Sequence, residues 1–199
     1  GKMGQGKTSL AINMLRSKNI WKKTFNDIYV VIPEISLHSI ADKDNVFLKY
    51  LDDGEHLYHE YDEVVLSDIY DKLLENSREG NNSLLLVDDM GSQFKTNHKA
   101  EAVLNKIIIK MRHLKTSVVL LGQNIYQMPK KWREVATNLI TFNLGKSQME
   151  KIFNEFYDLK KEQFIELMKL YQHPHDYLIL CLKHQRIFYN WDEVSFEDD

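Results

Sequence analysis

The opening residues of the chain carry its most specific chemistry. Gly1-Lys2-Met3-Gly4-Gln5-Gly6-Lys7-Thr8 satisfies the pattern G-x-x-x-x-G-K-[ST] at every position. Glycines at those places let a backbone curl until its N–H groups point inward, where they meet phosphate oxygens. The helix that follows adds its positive N-terminal end. Lys7 can reach the β- and γ-phosphates of a nucleotide, and the Thr8 hydroxyl can ligate Mg²⁺. With glycine near ~7% of average usage, chance gives the full pattern in fewer than about one chain in a hundred of this length. Gly1, Gly4, Gln5, Gly6, Lys7, Thr8 and Ser9 therefore form the candidate binding set for ATP.

A phosphate cradle needs an acidic partner at the end of a buried strand. Ser83-Leu84-Leu85-Leu86-Val87 runs into Asp88-Asp89 and supplies one. Asp88 is placed to hold Mg²⁺ through water, as a Walker-B aspartate does, and Asp89 to orient or deprotonate the attacking water. An apolar run ending in Asp-Asp also occurs where a strand merely enters a turn. Downstream of a complete phosphate motif, with strands and helices between, the metal reading prevails. Two adjacent acids also argue against a GTPase or a small-molecule kinase.

Gln123 follows the apolar stretch 116–121. In a parallel sheet that end faces the nucleotide crevice, so its carboxamide can touch the γ-phosphate and the attacking water together. Arg112-His113 is expected to close the helix that comes before. An arginine there can simply compensate the helix dipole. Its sharper role is an arginine finger set against a neighbouring subunit's γ-phosphate, with Arg133 in Pro129-Lys130-Lys131-Trp132-Arg133 as a second candidate. His173-Pro174-His175 has no further ligand at metal spacing and reads as a turn.

These groups need a scaffold, and the periodicities describe one. Residues 9–17 suit a buried helix, 27–32 (DIYVVI) a buried strand stopped by Pro33. Residues 42–63 show no clear period. Residues 66–78 repeat apolar positions as an amphipathic helix does, 79–82 form a turn, and 83–87 form a fully buried strand. A helix over 99–113, strands over 116–121 and 138–142, and helices over 146–157 and 161–172 follow. Residues 177–182 and 186–190 form a terminal hairpin. Buried strands alternating with helices predict an α/β fold with helices on both faces of the sheet. Its central sheet is mostly parallel, and a β-hairpin stands at the C-terminus. A phosphate loop normally hangs from a strand, so a strand ahead of Gly1 is expected in the natural protein.

Bulk composition sets the outer bounds. A chain of 199 residues that is 43% hydrophobic can build one domain with a substantial core. With 28% charged residues, no apolar run approaches the ~20 that a membrane-spanning helix needs. The lone cysteine, Cys181, lies in an apolar run and fits a buried thiol in a reducing compartment, outside any disulfide framework. Net charge is −3, so the whole chain is not a basic nucleic-acid module. Yet residues 95–133 carry nine Lys or Arg (95, 99, 106, 110, 112, 115, 130, 131, 133) against the single acid Glu101. Such a run is either a solvated face or a phosphate-contacting one.

The ordered set of Gly1-Lys2-x-Gly4-x-Gly6-Lys7-Thr8, the strand 28–33, Leu84 to Asp89, Arg112-His113, Gln123 and Pro129-x-x-x-Arg133 resembles one family. It is that of the poxvirus-type genome-packaging ATPases of large DNA viruses and virophages, a viral branch of the FtsK–HerA superfamily. The likeness runs from Gly1 to about Trp191. It implies a three-layer P-loop NTPase core of the ASCE, RecA-like kind and a homo-oligomeric ring, usually a hexamer, that threads double-stranded DNA without reading its sequence. It implies ATP and Mg²⁺ as cofactors, capsid proteins as further partners, and a place in the virion or the host-cell cytoplasm. Lys7 and Thr8 would take phosphate and metal, Asp88 the metal, Gln123 the sensing role and Arg112 the finger in trans. One departure matters: many relatives carry Glu where Asp89 stands, so a shorter side chain must reach the water. A competing expectation is a nucleotide-dependent switch or assembly factor, which leaves Gln123 and Arg112 idle. A cellular DNA-transfer ATPase is a third.

Overall fold

The computed structural model describes residues 6–41, 45–51, 54–157, 159–171, 173 and 175–196. The chain divides into two compact units, residues 7–133 and residues 134–199, the latter grouped with residues 1–6.

The first unit is built on a parallel sheet. Strands β1 (Asp27–Val31), β2 (Leu57–Tyr58), β3 (Ser83–Val87) and β4 (Thr116–Leu120) lie in the order β2-β1-β3-β4. Each neighbouring pair is parallel. All five residues of β3 are buried, as a central strand covered on both faces requires. Around the sheet stand α1 (Lys7–Arg16), the short helices α2 (Glu34–His38) and α3 (Val46–Tyr50), and the longer α4 (Glu63–Glu79) and α5 (His98–Lys110). A short α6 (Lys130–Glu134) comes after β4.

The period-2 alternation of the strands sorts their side chains into two cores. Tyr29, Val31, Leu85 and Val87 pack with Leu66, Ile69 and Leu73 of α4 and Leu104, Ile107 and Ile108 of α5. Val30, Ile32 and Leu86 pack instead with Ala11 and Ile12 of α1, Leu37 of α2 and Phe47 of α3. Helix, sheet, helix: the three expected layers are present.

Local signals set the element ends. Asp62 caps α4 by accepting from the Val65 N–H at 2.8 Å, and Gly80 ends it in the left-handed region (φ 90) that glycine adopts without a Cβ penalty. Asn97 caps α5 through the Ala100 N–H at 3.2 Å, and its amide donates to the Tyr61 carbonyl at 3.0 Å. Asn97→Ala loses both bonds and should cost about 1–2 kcal/mol. Urea unfolding should show this as a lower midpoint at unchanged slope.

One sequence expectation changes here. Helix α5 stops at Lys110, so Arg112 and His113 do not close it; they lie in the turn that leads into β4. The apolar spacing of Leu104, Ile107 and Ile108 continues to Met111, which in the structure is the C-cap of the helix. The unassigned stretch after β1 forms α2, started by Pro33 at its N-cap.

The second unit carries the expected hairpin inside a larger antiparallel sheet. Strands β5 (Asn138–Phe142), β6 (Tyr177–Cys181), β7 (Arg186–Tyr189) and β8 (Asp192–Val194) are ordered β5-β6-β7-β8. Every pair is antiparallel. Helices α7 (Lys146–Phe156) and α8 (Lys161–Leu170) meet through an edge-on Phe153–Phe164 pair, with ring centroids 5.6 Å apart. Cys181 is free and half-buried instead of buried, because it falls on the less covered phase of the alternating strand β6.

Candidate nucleotide site

Register decides which side chains can meet. Val31, Val87 and Leu120 are side by side at the ends of β1, β3 and β4. The ladder runs one step further, with the Asp88 N–H donating to the Val31 carbonyl and the Leu121 N–H to the Val87 carbonyl, both at 2.8 Å. Whatever follows these strands therefore emerges along one edge of the sheet. That edge carries α2, Asp88-Asp89 and the Gly122-Gln123 loop.

Helix α1 brings the phosphate-motif side chains to the same edge. The Thr8 hydroxyl donates to Asp88 Oδ2 at 2.5 Å, between residues far apart in sequence. Gly6, just ahead of α1, has φ +90, a left-handed value that a side chain at this position would strain. Gly1, Gly4 and Gln5 lie outside the described residues. Ser9 is exposed on the first turn of α1.

Burial dominates the electrostatics of both Asp88 and Lys7. Asp88 is 3% exposed. Burial pushes its carboxyl above the ordinary carboxylate value; the Thr8 hydrogen bond acts the other way and the neighbouring Asp89 charge adds to the rise. Lys7 is pulled below its ordinary value by burial, against the raising influence of Asp88 and Asp89. Asp89 is exposed and sits at φ 54, an uncommon backbone conformation for a non-glycine residue. One of its oxygens accepts from the Ser36 hydroxyl of α2 at 2.8 Å.

The donor set suits Mg²⁺. Thr8 and Asp88 present hard oxygen atoms, one of them on a buried carboxylate. Among the described residues no group of three His, Cys, Asp or Glu could hold a metal ion. A cation here must complete its shell with water and substrate phosphate oxygens, which is how Mg²⁺ is usually bound.

Gln123 lies on this edge and is exposed. Arg133, on α6, is held differently: its guanidinium lies over the Tyr126 ring, 5.0 Å from the centroid. Arg112 is not brought to the site at all. It is exposed in the turn that enters β4, so it sits where the strands begin. Five residues of β4, at about 3.3 Å each, separate the two sheet edges by roughly 15 Å.

Much of the basic run is engaged within the unit. Lys95 donates to the Tyr126 carbonyl at 2.6 Å, and Lys115 to the Gly80 carbonyl at 3.3 Å. Lys131 pairs with Glu101 at 2.9 Å, and Lys106 covers the Tyr70 ring at 3.7 Å. The run is thus spread over several faces. Sequence reasoning missed Ser36, because nothing in a single sequence links it to Asp89.

A three-layer core with lysine, threonine and paired aspartates at the carboxyl edge of its parallel strands defines a P-loop NTPase fold. The family model described as Poxvirus A32 protein matches residues 1–195, and the chain belongs to that family. The structure is similar to the crystal structure of B204, the DNA-packaging ATPase from Sulfolobus Turreted Icosahedral Virus. The TM-score is 0.66 at 16% identity, covering 99% of this chain and 95% of that one. It is similar also to the genome packaging NTPase B204 from Sulfolobus turreted icosahedral virus 2 in complex with ATP-gammaS. That match has TM-score 0.66 and 13% identity and covers 95% and 93% of the two chains. No curated protein sequence matches the chain. No described helix is long and apolar enough to cross a membrane.

Proposed function

We propose that the chain is an ATP-hydrolysing motor domain that translocates double-stranded DNA and packages a viral genome. The observation that carries the reading is the Thr8–Asp88 hydrogen bond, with Lys7 and Asp89 beside it. It stands in a chain whose fold is similar, over nearly its whole length, to a protein described as a DNA-packaging ATPase. A similar protein has been seen with ATP-gammaS, which supports ATP as the nucleotide.

In this reading Lys7 neutralises the β- and γ-phosphate oxygens, Gly1, Gly4, Gln5, Gly6 and Ser9 line the phosphates, and Asp88 and Thr8 hold Mg²⁺. The ion, when bound, offsets the charge that develops on the phosphate oxygens. Asp89 takes the proton of the attacking water, and Gln123 touches the γ-phosphate from the adjacent strand end. Arg112, on the far edge of the sheet, serves a neighbouring subunit, which calls for a ring. Lysines from residues 95–133 meet the DNA backbone, a salt-sensitive contact without base readout. The ring works with capsid proteins, in the virion or in the cytoplasm of the infected cell.

Displacement of a third strand from a triplex tests translocation itself. The purified protein should strip the third strand from duplex DNA when ATP is hydrolysed, and Lys7→Ala should not. Steady hydrolysis with the third strand left in place would replace the motor by a nucleotide-dependent switch.

A further inference from the structure

The Ser36–Asp89 hydrogen bond joins two residues with α3, β2, α4 and β3 between them in the chain. Both ends of the bond are held. On the donor side, Pro33 opens α2, and its carbonyl accepts the Ser36 and Leu37 N–H groups, each at 3.0 Å. Leu37 is 1% exposed and anchors α2 in the core shared with α1. The Ser36 carbonyl accepts from the Ser39 hydroxyl at 2.6 Å. On the acceptor side, Asp89 has left-handed backbone, and the next residue, Met90, is buried in the core shared with α4 and α5. A hydroxyl has one hydrogen to donate, and that of Ser36 is committed to Asp89 Oδ2.

Asp89 is exposed, and a free aspartate side chain at a surface rotates among several orientations. A general base gains from being fixed, because a proton transfer needs its acceptor within hydrogen-bond reach of the water. We propose that Ser36 is the positioning residue of the Asp89 carboxylate, holding one oxygen so that the other stays available to the attacking water. The inference rests on the reading of Asp89 as the base. In the step concerned, the water oxygen forms a bond to the γ-phosphorus while one water proton passes to Asp89. The bond from the γ-phosphorus to the β,γ-bridging oxygen breaks, and ADP departs with that electron pair. Ser36 keeps its proton throughout. A fixed carboxylate also addresses the short reach of aspartate at this position.

The test compares wild-type protein with Ser36→Ala, Ser36→Thr and Asp89→Asn. Ser36→Ala should lower kcat for ATP hydrolysis roughly tenfold while KM stays within about twofold, as expected of a group that places a base without binding substrate. Ser36→Thr keeps a hydroxyl and should restore most of kcat. In nucleotide-free protein, amide hydrogen exchange over residues 88–91 should be faster in Ser36→Ala and return to the wild-type rate in Ser36→Thr. Wild-type kcat in Ser36→Ala beside an inactive Asp89→Asn would overturn the inference alone. So would a raised kcat in Ser36→Ala, which would make Ser36 a restraint on the base. Asp89→Asn hydrolysing at the wild-type rate would overturn the reading of Asp89 as the base, and the inference with it.

Discussion

Lys7→Ala should lower ATP turnover by about 10²–10³-fold, the usual cost of removing one fixed electrostatic partner from a charge-developing transition state. The reason lies in the local charge. Lys7 stands close enough to Asp88 and Asp89 for both to raise its proton affinity, although burial lowers it. Without that ammonium, two carboxylates would remain beside the proposed position of the γ-phosphate. Nucleotide affinity should fall as well, since the cation would meet the β- and γ-oxygens in the ground state. Lys7 is the first residue of α1 and is only half-buried, so its loss should leave the thermal transition nearly unchanged. Single-turnover hydrolysis and nucleotide titration on the same sample separate the two effects.

The second large effect is expected at Arg112. This arginine stands at the entry of β4, across the sheet from Asp88, so phosphates bound beside Asp88 would lie beyond its reach in the same chain. If it acts as a finger on a neighbour, Arg112→Ala should cost about 10³–10⁵ in turnover, the range such arginines supply. The decisive experiment mixes subunits. Arg112→Ala chains still present an intact Lys7 site, and Lys7→Ala chains still present an intact finger. Mixed rings should recover part of the activity that both lack alone. Absence of recovery, with both variants folded and assembled, would move the finger to Arg133. That residue is on the short helix after β4, with its guanidinium over Tyr126.

The central strands were legible because burial on both faces demands uninterrupted apolar runs. Residues 83–87 coincide with β3, and Asp88 is where that reading put it. The edge strand β8 was not legible. Asp192-Glu193-Val194 reads as part of an acidic tail, yet Glu193 pairs with Arg186 on β7, and charges on an edge strand are an ordinary guard against further pairing. Residues 138–142 were found as a strand. Their alternation could not say that the partner is β6 and the pairing antiparallel, because period 2 is the same in either arrangement. Helix α5 was read too long because Met111 continues the apolar spacing of Leu104, Ile107 and Ile108 past Lys110, the last helical residue. At the candidate site, motif spacing proposed Lys7, Thr8, Asp88, Asp89 and Gln123. Ser36 depends on which strand lies beside which, and only the β1–β3 pairing reveals it.

The claim that this site drives DNA movement is tested most directly by the steady-state ATPase rate with and without double-stranded DNA, over a range of salt concentrations. The expected result is stimulation by duplex DNA of any sequence, fading as salt rises and absent in Lys7→Ala. Hydrolysis that no duplex stimulates at any salt concentration would contradict it.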